Sequence, residues 1–219
     1  MIYLSPAERR QRRASRLRRS LIILAGLVLF SLLDFPLLHL FYTHPDAHID
    51  QHDWYRLLRI IGFFGTWVVI GIALVLHDRN RHRGLALLLS SGLAGLVAEL
   101  LKLVVARERP VENGIIQPGL YHFRGLFSGF TDGSNLGMPS SHAAVAFGGC
   151  LMLACYFPRC RSLLVLLALG CGVTRLLSGA HFASDIFVGA MLGWGMAVLM
   201  CRIAQGYIPE LAPRYRSMR

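Results

Sequence analysis

Six apolar runs, each close to the length that crosses a bilayer, limit what this chain can fold into. They fall at about residues 21–41, 57–76, 84–105, 139–157, 162–179 and 185–203. A helix rising ~1.5 Å per residue needs ~20 apolar residues to cover a hydrocarbon core ~30 Å thick. The fourth and fifth runs are short by that measure. Hydrophobic residues make up 54% of the chain and charged residues 16%, far from a soluble average. Gly and Ser recur within the runs, as at Ser90, Ser91, Gly92, Gly148, Gly149, Gly189 and Gly193, which suits close helix packing. The fold class expected is all-α: one integral membrane bundle of six transmembrane helices.

Charge is distributed in a way that orients this bundle. The formal net charge is +11, a balance compatible with nucleic acid, a membrane surface or an anionic substrate. The basic residues sit in short clusters between apolar runs, which argues against a nucleic-acid-binding stripe. With the N-terminus inside, 16 of the 23 Lys and Arg residues fall in inner segments. The first outer connection carries Asp46, Asp50 and Asp53 and no basic residue up to Tyr55. Both termini are therefore expected in the cytoplasm of a bacterial-type inner membrane.

Residues 1–20 read as a basic cytoplasmic segment, 21–208 as the six-span domain with an outer loop at 106–138, and 209–219 as a short basic cytoplasmic tail. The basic start followed by an apolar run resembles a signal peptide. The run is of spanning length, lacks a small-residue cleavage site and holds Asp34 and Pro36, so it reads as an uncleaved first span. Asp34 is expected to face the bundle interior, because a lipid-facing carboxylate is costly. The 106–138 loop is rich in Gly and aromatics and is expected to lean on headgroups, as part of a substrate entrance. The five cysteines have no CxxC or Cys/His ligand spacing and are expected as buried free thiols, without disulfide or zinc site.

Three stretches carry the chemistry, and the six-span layout puts all of them at the outer face. Lys102-Leu-Val-Val-Ala-Arg-Glu-Arg109-Pro110 supplies cations, and Lys102 is the only lysine beside 22 arginines. Met138-Pro-Ser140-Ser141-His142 combines a helix-start proline and serines with a histidine; a helix N-terminus is a ready anion site. Arg175 is followed by His181 and Asp185, and four residues of helical spacing would let the carboxylate hold the imidazole. Each residue alone has an ordinary reading. A histidine at a helix end is commonly structural, Lys102 and Arg109 could be snorkelling flank residues, and Arg175 with Asp185 could be a buried pair. Glu99, one turn before Lys102, reads as its structural partner. The order, spacing and sidedness of the whole set argue for a site that performs phosphoryl transfer. Fixed cations and amides stabilise charge spread over the equatorial oxygens, and a carboxylate-backed histidine is a competent nucleophile. No carboxylate cluster suits Mg²⁺, so neither metal nor cofactor is expected.

The pattern Lys102-x6-Arg109-Pro110, Pro139-Ser140-Ser141-His142 and Arg175-x5-His181-x3-Asp185 resembles the signature of the type 2 phosphatidic acid phosphatase superfamily. Two positions depart from it: Ser141 stands where the family pattern has Gly, and Thr174 where it has Ser. The resemblance implies that His181 attacks phosphorus to form a phosphohistidine while Asp185 orients its other nitrogen. It implies that His142 protonates the leaving oxygen and then activates water. Lys102, Arg109, Arg175, Ser140 and the amides near Ser141 would bind the phosphate oxygens. The function expected is that of a metal-independent membrane lipid phosphatase with its site at the periplasmic face. Candidate substrates are phosphatidic acid, phosphatidylglycerol phosphate, a polyprenyl pyrophosphate or lipid A phosphate. A lipid-to-lipid phosphotransferase and a non-catalytic lipid-binding or transport protein are the alternatives.

Overall fold

The computed structural model describes residues 6–42, 49–77, 81–112, 115–116 and 121–204. The tail at 209–219, the first five residues, Asp46 and Arg79 lie outside the described residues. The fold is built from helices α1 (Pro6–Tyr42), α2 (Asp53–Ile60), α3 (Phe64–His77), α4 (His82–Val105), α5 (Ser141–Tyr156), α6 (Arg161–Leu177) and α7 (Ala183–Ala204). Two strands, β1 (Val111–Glu112) and β2 (Ile115–Ile116), pair antiparallel in the loop between α4 and α5.

Among the described residues, four helical segments are long and apolar enough to cross a membrane, and α2 with α3 makes a fifth if that pair, bent by 64°, is one span. The fourth apolar run forms α5, whose 16 residues are fewer than a full crossing needs. Its surroundings account for that. Helix α5 packs against α4, α6 and α7, and 12 of its residues are buried, so protein rather than lipid surrounds it. Around it α1, α3, α4 and α6 expose leucine, isoleucine and valine outward, as lipid-facing surfaces do.

Glycines set the closest approaches. A Cβ at Gly193 would lie 2.5 Å from the Ala144 carbonyl oxygen and 2.7 Å from the Gly148 nitrogen, so α7 lies almost backbone-to-backbone on α5. A Cβ at Gly62, in the bend between α2 and α3, would lie 2.8 Å from the His142 Cβ. Glycine there is what leaves room for that histidine.

Helix α1 runs unbroken from Pro6 through the basic stretch into the first apolar run, because Ala, Glu, Arg and Leu all favour helix. Two features differ from the sequence expectation. The 106–138 loop contains β pairing, with added bridges Arg107–Phe123 and Glu108–Leu136. It does expose Phe123, Leu126, Phe127 and Phe130. Finally, Cys155 and Cys201 are joined as a disulfide, while Cys150 and Cys171 are buried free thiols and Cys160 is exposed. The pairing links α5 to α7 across 46 residues, a juxtaposition created by packing that no local cysteine spacing could announce.

Candidate active site

The three stretches meet. A cavity of about 380 Å³ is lined by Lys102, Arg109, Ser141, His142, Arg175 and His181, together with Arg59, Glu99 and Asn135. Each side chain arrives for a local reason. Helix α4 ends at Ala106, which takes a left-handed conformation (φ 49°) and donates its N–H to the Lys102 carbonyl at 2.8 Å. That cap turns the chain sharply and carries Arg107 and Arg109 back over the helix end. Helix α5 begins at Ser140, whose hydroxyl caps the Ala143 N–H at 3.4 Å and whose own N–H donates to the Asp185 carbonyl at 3.0 Å. The N-terminus of α5, with Ser141 and His142 in its first turn, therefore opens into the cavity beside the cations.

The cations are supplied by separate elements. Lys102, 7% exposed, donates to Glu99 Oε1 at 2.8 Å and to the Ser141 hydroxyl at 3.1 Å. The Arg175 guanidinium is buried; its Nη2 donates to the Ser178 hydroxyl at 2.8 Å, and its Nε has no hydrogen-bond partner among the described residues. Arg109 is exposed, and its Nε donates to the Leu136 carbonyl at 3.3 Å. The buried amide nitrogen of Asn135, a residue held at φ 53°, also lacks a partner among the described residues. Unused donors facing a polar cavity are what an incoming oxyanion requires.

His181 is buried just ahead of α7, its Nδ1 3.7 Å from Asp185 Oδ2, slightly beyond hydrogen-bond length. Burial holds its pKa below the ordinary imidazole value, against the upward pull of Asp185, so it is uncharged at neutral pH. Asp185 lies in the first turn of α7, and its Oδ2 accepts the Phe182 N–H at 2.8 Å. That bond, rather than one continuous helix through 181–185, brings His181 and Asp185 together.

Two assigned residues stand behind the cavity wall. Ser140 is fully buried and committed to its cap, and Asp185 touches the cavity only through His181. The residues the sequence left without a role are Arg59, Asn135 and Arg107. Arg107 is 4% exposed and its Nη2 pairs with Asp185 Oδ1. Asp34 faces the bundle interior, as its cost in lipid requires, and accepts from the Ser184 N–H at 2.7 Å, the Ser184 hydroxyl at 2.5 Å and the Tyr121 hydroxyl at 2.9 Å. Burial and Asp34 together push the Tyr121 pKa up to about 12, so it remains a donor. The available signal was Asp34 itself. A buried carboxylate in a spanning helix needs a partner, and Arg107 is among the few cations not already in a cytoplasmic cluster.

A second, more apolar groove of about 250 Å³ adjoins the first. It runs between Phe63, Phe64, Gly92 and Leu96 and shares Glu99, Ser141 and His142 with the cation-lined cavity.

Comparison with known proteins identifies the family. The sequence model described as "PAP2 superfamily" matches residues 83–208, which contain all three stretches. The chain belongs to the PAP2 superfamily. It is 32% identical over 126 residues to a protein of Rhizobium etli named lipid A 1-phosphatase, an alignment covering 55% of this chain and 50% of that one. A protein of the same name from Rhizobium johnstonii is 31% identical over 122 residues, covering 55% and 48%. The chain thus spans about half the length of the curated relatives it matches. No solved structure matches it. The family membership upholds the resemblance read from the three motifs, and α1, with Asp34, lies outside the matched segment.

Proposed function

We propose that this PAP2-superfamily protein is a membrane lipid phosphatase that cleaves a phosphomonoester or pyrophosphate of a lipid through a phosphohistidine intermediate. The observation that carries the reading is the gathering of His142, His181, Lys102, Arg109 and Arg175 on one cavity. Nδ1 of His181 faces Asp185, which leaves Nε2 to attack phosphorus. As the N–P bond forms, the P–O bond to the lipid breaks, and His142 gives its proton to the departing oxygen. Lys102, Arg109, Arg175, the unpartnered amide of Asn135 and the N-terminal amides of α5 hold the equatorial oxygens. Water then attacks phosphorus while His142 takes its proton, and release of phosphate restores His181. None of these steps needs a metal.

A lipid is favoured over a soluble phosphate ester because the apolar groove shares His142, the proton donor to the leaving group, with the phosphate cavity. Among the candidate lipids, a phosphate on lipid A has the added support of the relatives' names. The two Rhizobium relatives are bacterial, and the positive-inside count favours an inner membrane with cytoplasmic termini and the site on the periplasmic face. In this arrangement α5 is the fourth span, enclosed by protein, and completes the six. The loop's exposed Phe123, Phe127 and Phe130 rest at the headgroup level.

The test is a panel of phosphatidic acid, phosphatidylglycerol phosphate, a polyprenyl pyrophosphate and lipid A, each assayed in detergent with EDTA. The expected result is EDTA-resistant release of phosphate from at least one of them, lost in His181→Ala. Release from none, or turnover that survives His181→Ala, contradicts the reading. Product analysis distinguishes water from a lipid alcohol as the acceptor.

A further inference from the structure

Behind His181 lies a closed polar cluster on four elements that the proposed chemistry does not by itself require. Asp185 is gripped at both oxygens: Oδ1 pairs with Arg107 Nη2, and Oδ2 accepts the Phe182 N–H at 2.8 Å. The same Nη2 donates to the Ser184 hydroxyl at 2.8 Å, and that hydroxyl donates in turn to Asp34 Oδ2 at 2.5 Å. Arg107 Nη1 lies 3.9 Å from Asp34. The guanidinium carbon sits 5.0 Å from the ring centroids of both Tyr121 and Phe182, and the Tyr121 hydroxyl closes the circuit by donating to Asp34.

Such a cluster is a poor device for stability. Burying two carboxylates and one guanidinium carries a desolvation penalty that apolar packing between α1 and α7 would avoid. Its electrostatic consequence lies at His181. A carboxylate paired with a guanidinium is a weakened partner for an imidazole. Asp34 offsets this by drawing on the same guanidinium, which leaves one net negative charge facing a ring that gains positive character as its Nε2 bonds to phosphorus. The aromatic clamp and the bond to Ser184 fix Arg107, so Asp185 has one available orientation.

We propose that Asp34 and Arg107 are positioning residues for the reaction: they fix the orientation and set the effective charge of Asp185 where it backs His181, which makes α1 part of the working site. The inference rests on the reading of His181 as nucleophile. It extends the site beyond residues 83–208, the segment the family model matches.

The probe is orthovanadate, which adopts the five-coordinate geometry of the transferring phosphoryl group and bonds to a histidine nitrogen. Inorganic phosphate, which only occupies the cavity, serves as the reference. Both are titrated against the full chain in detergent. Asp34→Asn, nearly the same shape, weakens vanadate on the order of tenfold, the scale for outer partners of a functional histidine, and leaves phosphate within about twofold. Arg107→Met does the same, and Arg107→Lys recovers part of the loss, since lysine keeps the charge without the fork or the stacking. A purely structural role would weaken both ligands together or neither. If His181→Ala abolishes vanadate binding while Asp34→Asn binds it like the unaltered chain, the inference fails and the proposed function stands. If His181→Ala binds vanadate unchanged, both fail.

Discussion

The cavity lining and the layer behind it use the same kinds of residue to opposite ends. In front, Arg175 Nε and Asn135 Nδ2 lack hydrogen-bond partners among the described residues, and Lys102 is held by a half-exposed glutamate and a serine hydroxyl. Behind, Asp34, Ser184, Asp185 and the tip of Arg107 are joined by short bonds, and only Arg107 Nε lacks a partner among the described residues. An unpartnered donor is costly in an empty site, but it becomes a binding contact when an oxyanion arrives. A saturated layer gains nothing from substrate and holds geometry instead. Substitutions in front should therefore change turnover with little effect on stability, and substitutions behind should change both.

His181→Ala gives the largest expected effect. Turnover of the lipid phosphate falls by about 10³-fold or more, with the apparent melting temperature essentially unchanged. A comparable loss of thermal stability would place His181 with the back layer. Lys102→Met comes next: loss of one fixed cation lowers kcat by about 10²-fold. It does not lower the melting temperature, because it relieves repulsion among Arg59, Arg109 and Arg175 around the cavity. Kinetics and a thermal scan on the same preparation check both halves.

Tyr121→Phe tests the other side. It keeps the ring over Arg107 and removes one donor to Asp34, a loss of about 1 kcal/mol. In a chain of this size that lowers the melting temperature by about 2–4 °C, with turnover falling by less than in Lys102→Met. A stable but inactive Tyr121→Phe would erase the distinction between the layers. The smallest effect expected is that of Ser141→Gly, with activity within about threefold of the unaltered chain. Its hydroxyl accepts from Lys102 at 3.1 Å, so removing it leaves the lysine free for phosphate, and the amide at the α5 start is kept. A large loss would show that the hydroxyl itself handles substrate.

The two layers also differ in how far the sequence discloses them. The front layer was legible: Lys102, Arg109, His142, Arg175 and His181 stand in short patterns at the ends of apolar runs, and hydropathy alone puts those ends on one face. The back layer was legible only by halves. The cost of a carboxylate in lipid shows that Asp34 must turn inward, but its partner Ser184 is 150 residues away, a contact made by helix packing. Arg107 resembles its neighbour Arg109 in sequence, and only the turn at Ala106 sends one into the interior and leaves the other at the cavity. Helix length is a weaker guide at α5 for a related reason. A helix enclosed by protein need not match the bilayer, so its length carries less information than its burial.

The most direct test of the central claim is to look for the covalent intermediate. The full chain is mixed with radiolabelled lipid phosphate, quenched in alkali, where a phosphorus–nitrogen bond survives, and digested with trypsin. The account predicts label on the peptide spanning residues 176–202, which contains His181 as its sole histidine, and none in His181→Ala. Label on a peptide carrying His142 instead, or rapid turnover with no labelled histidine at any quench time, would contradict it.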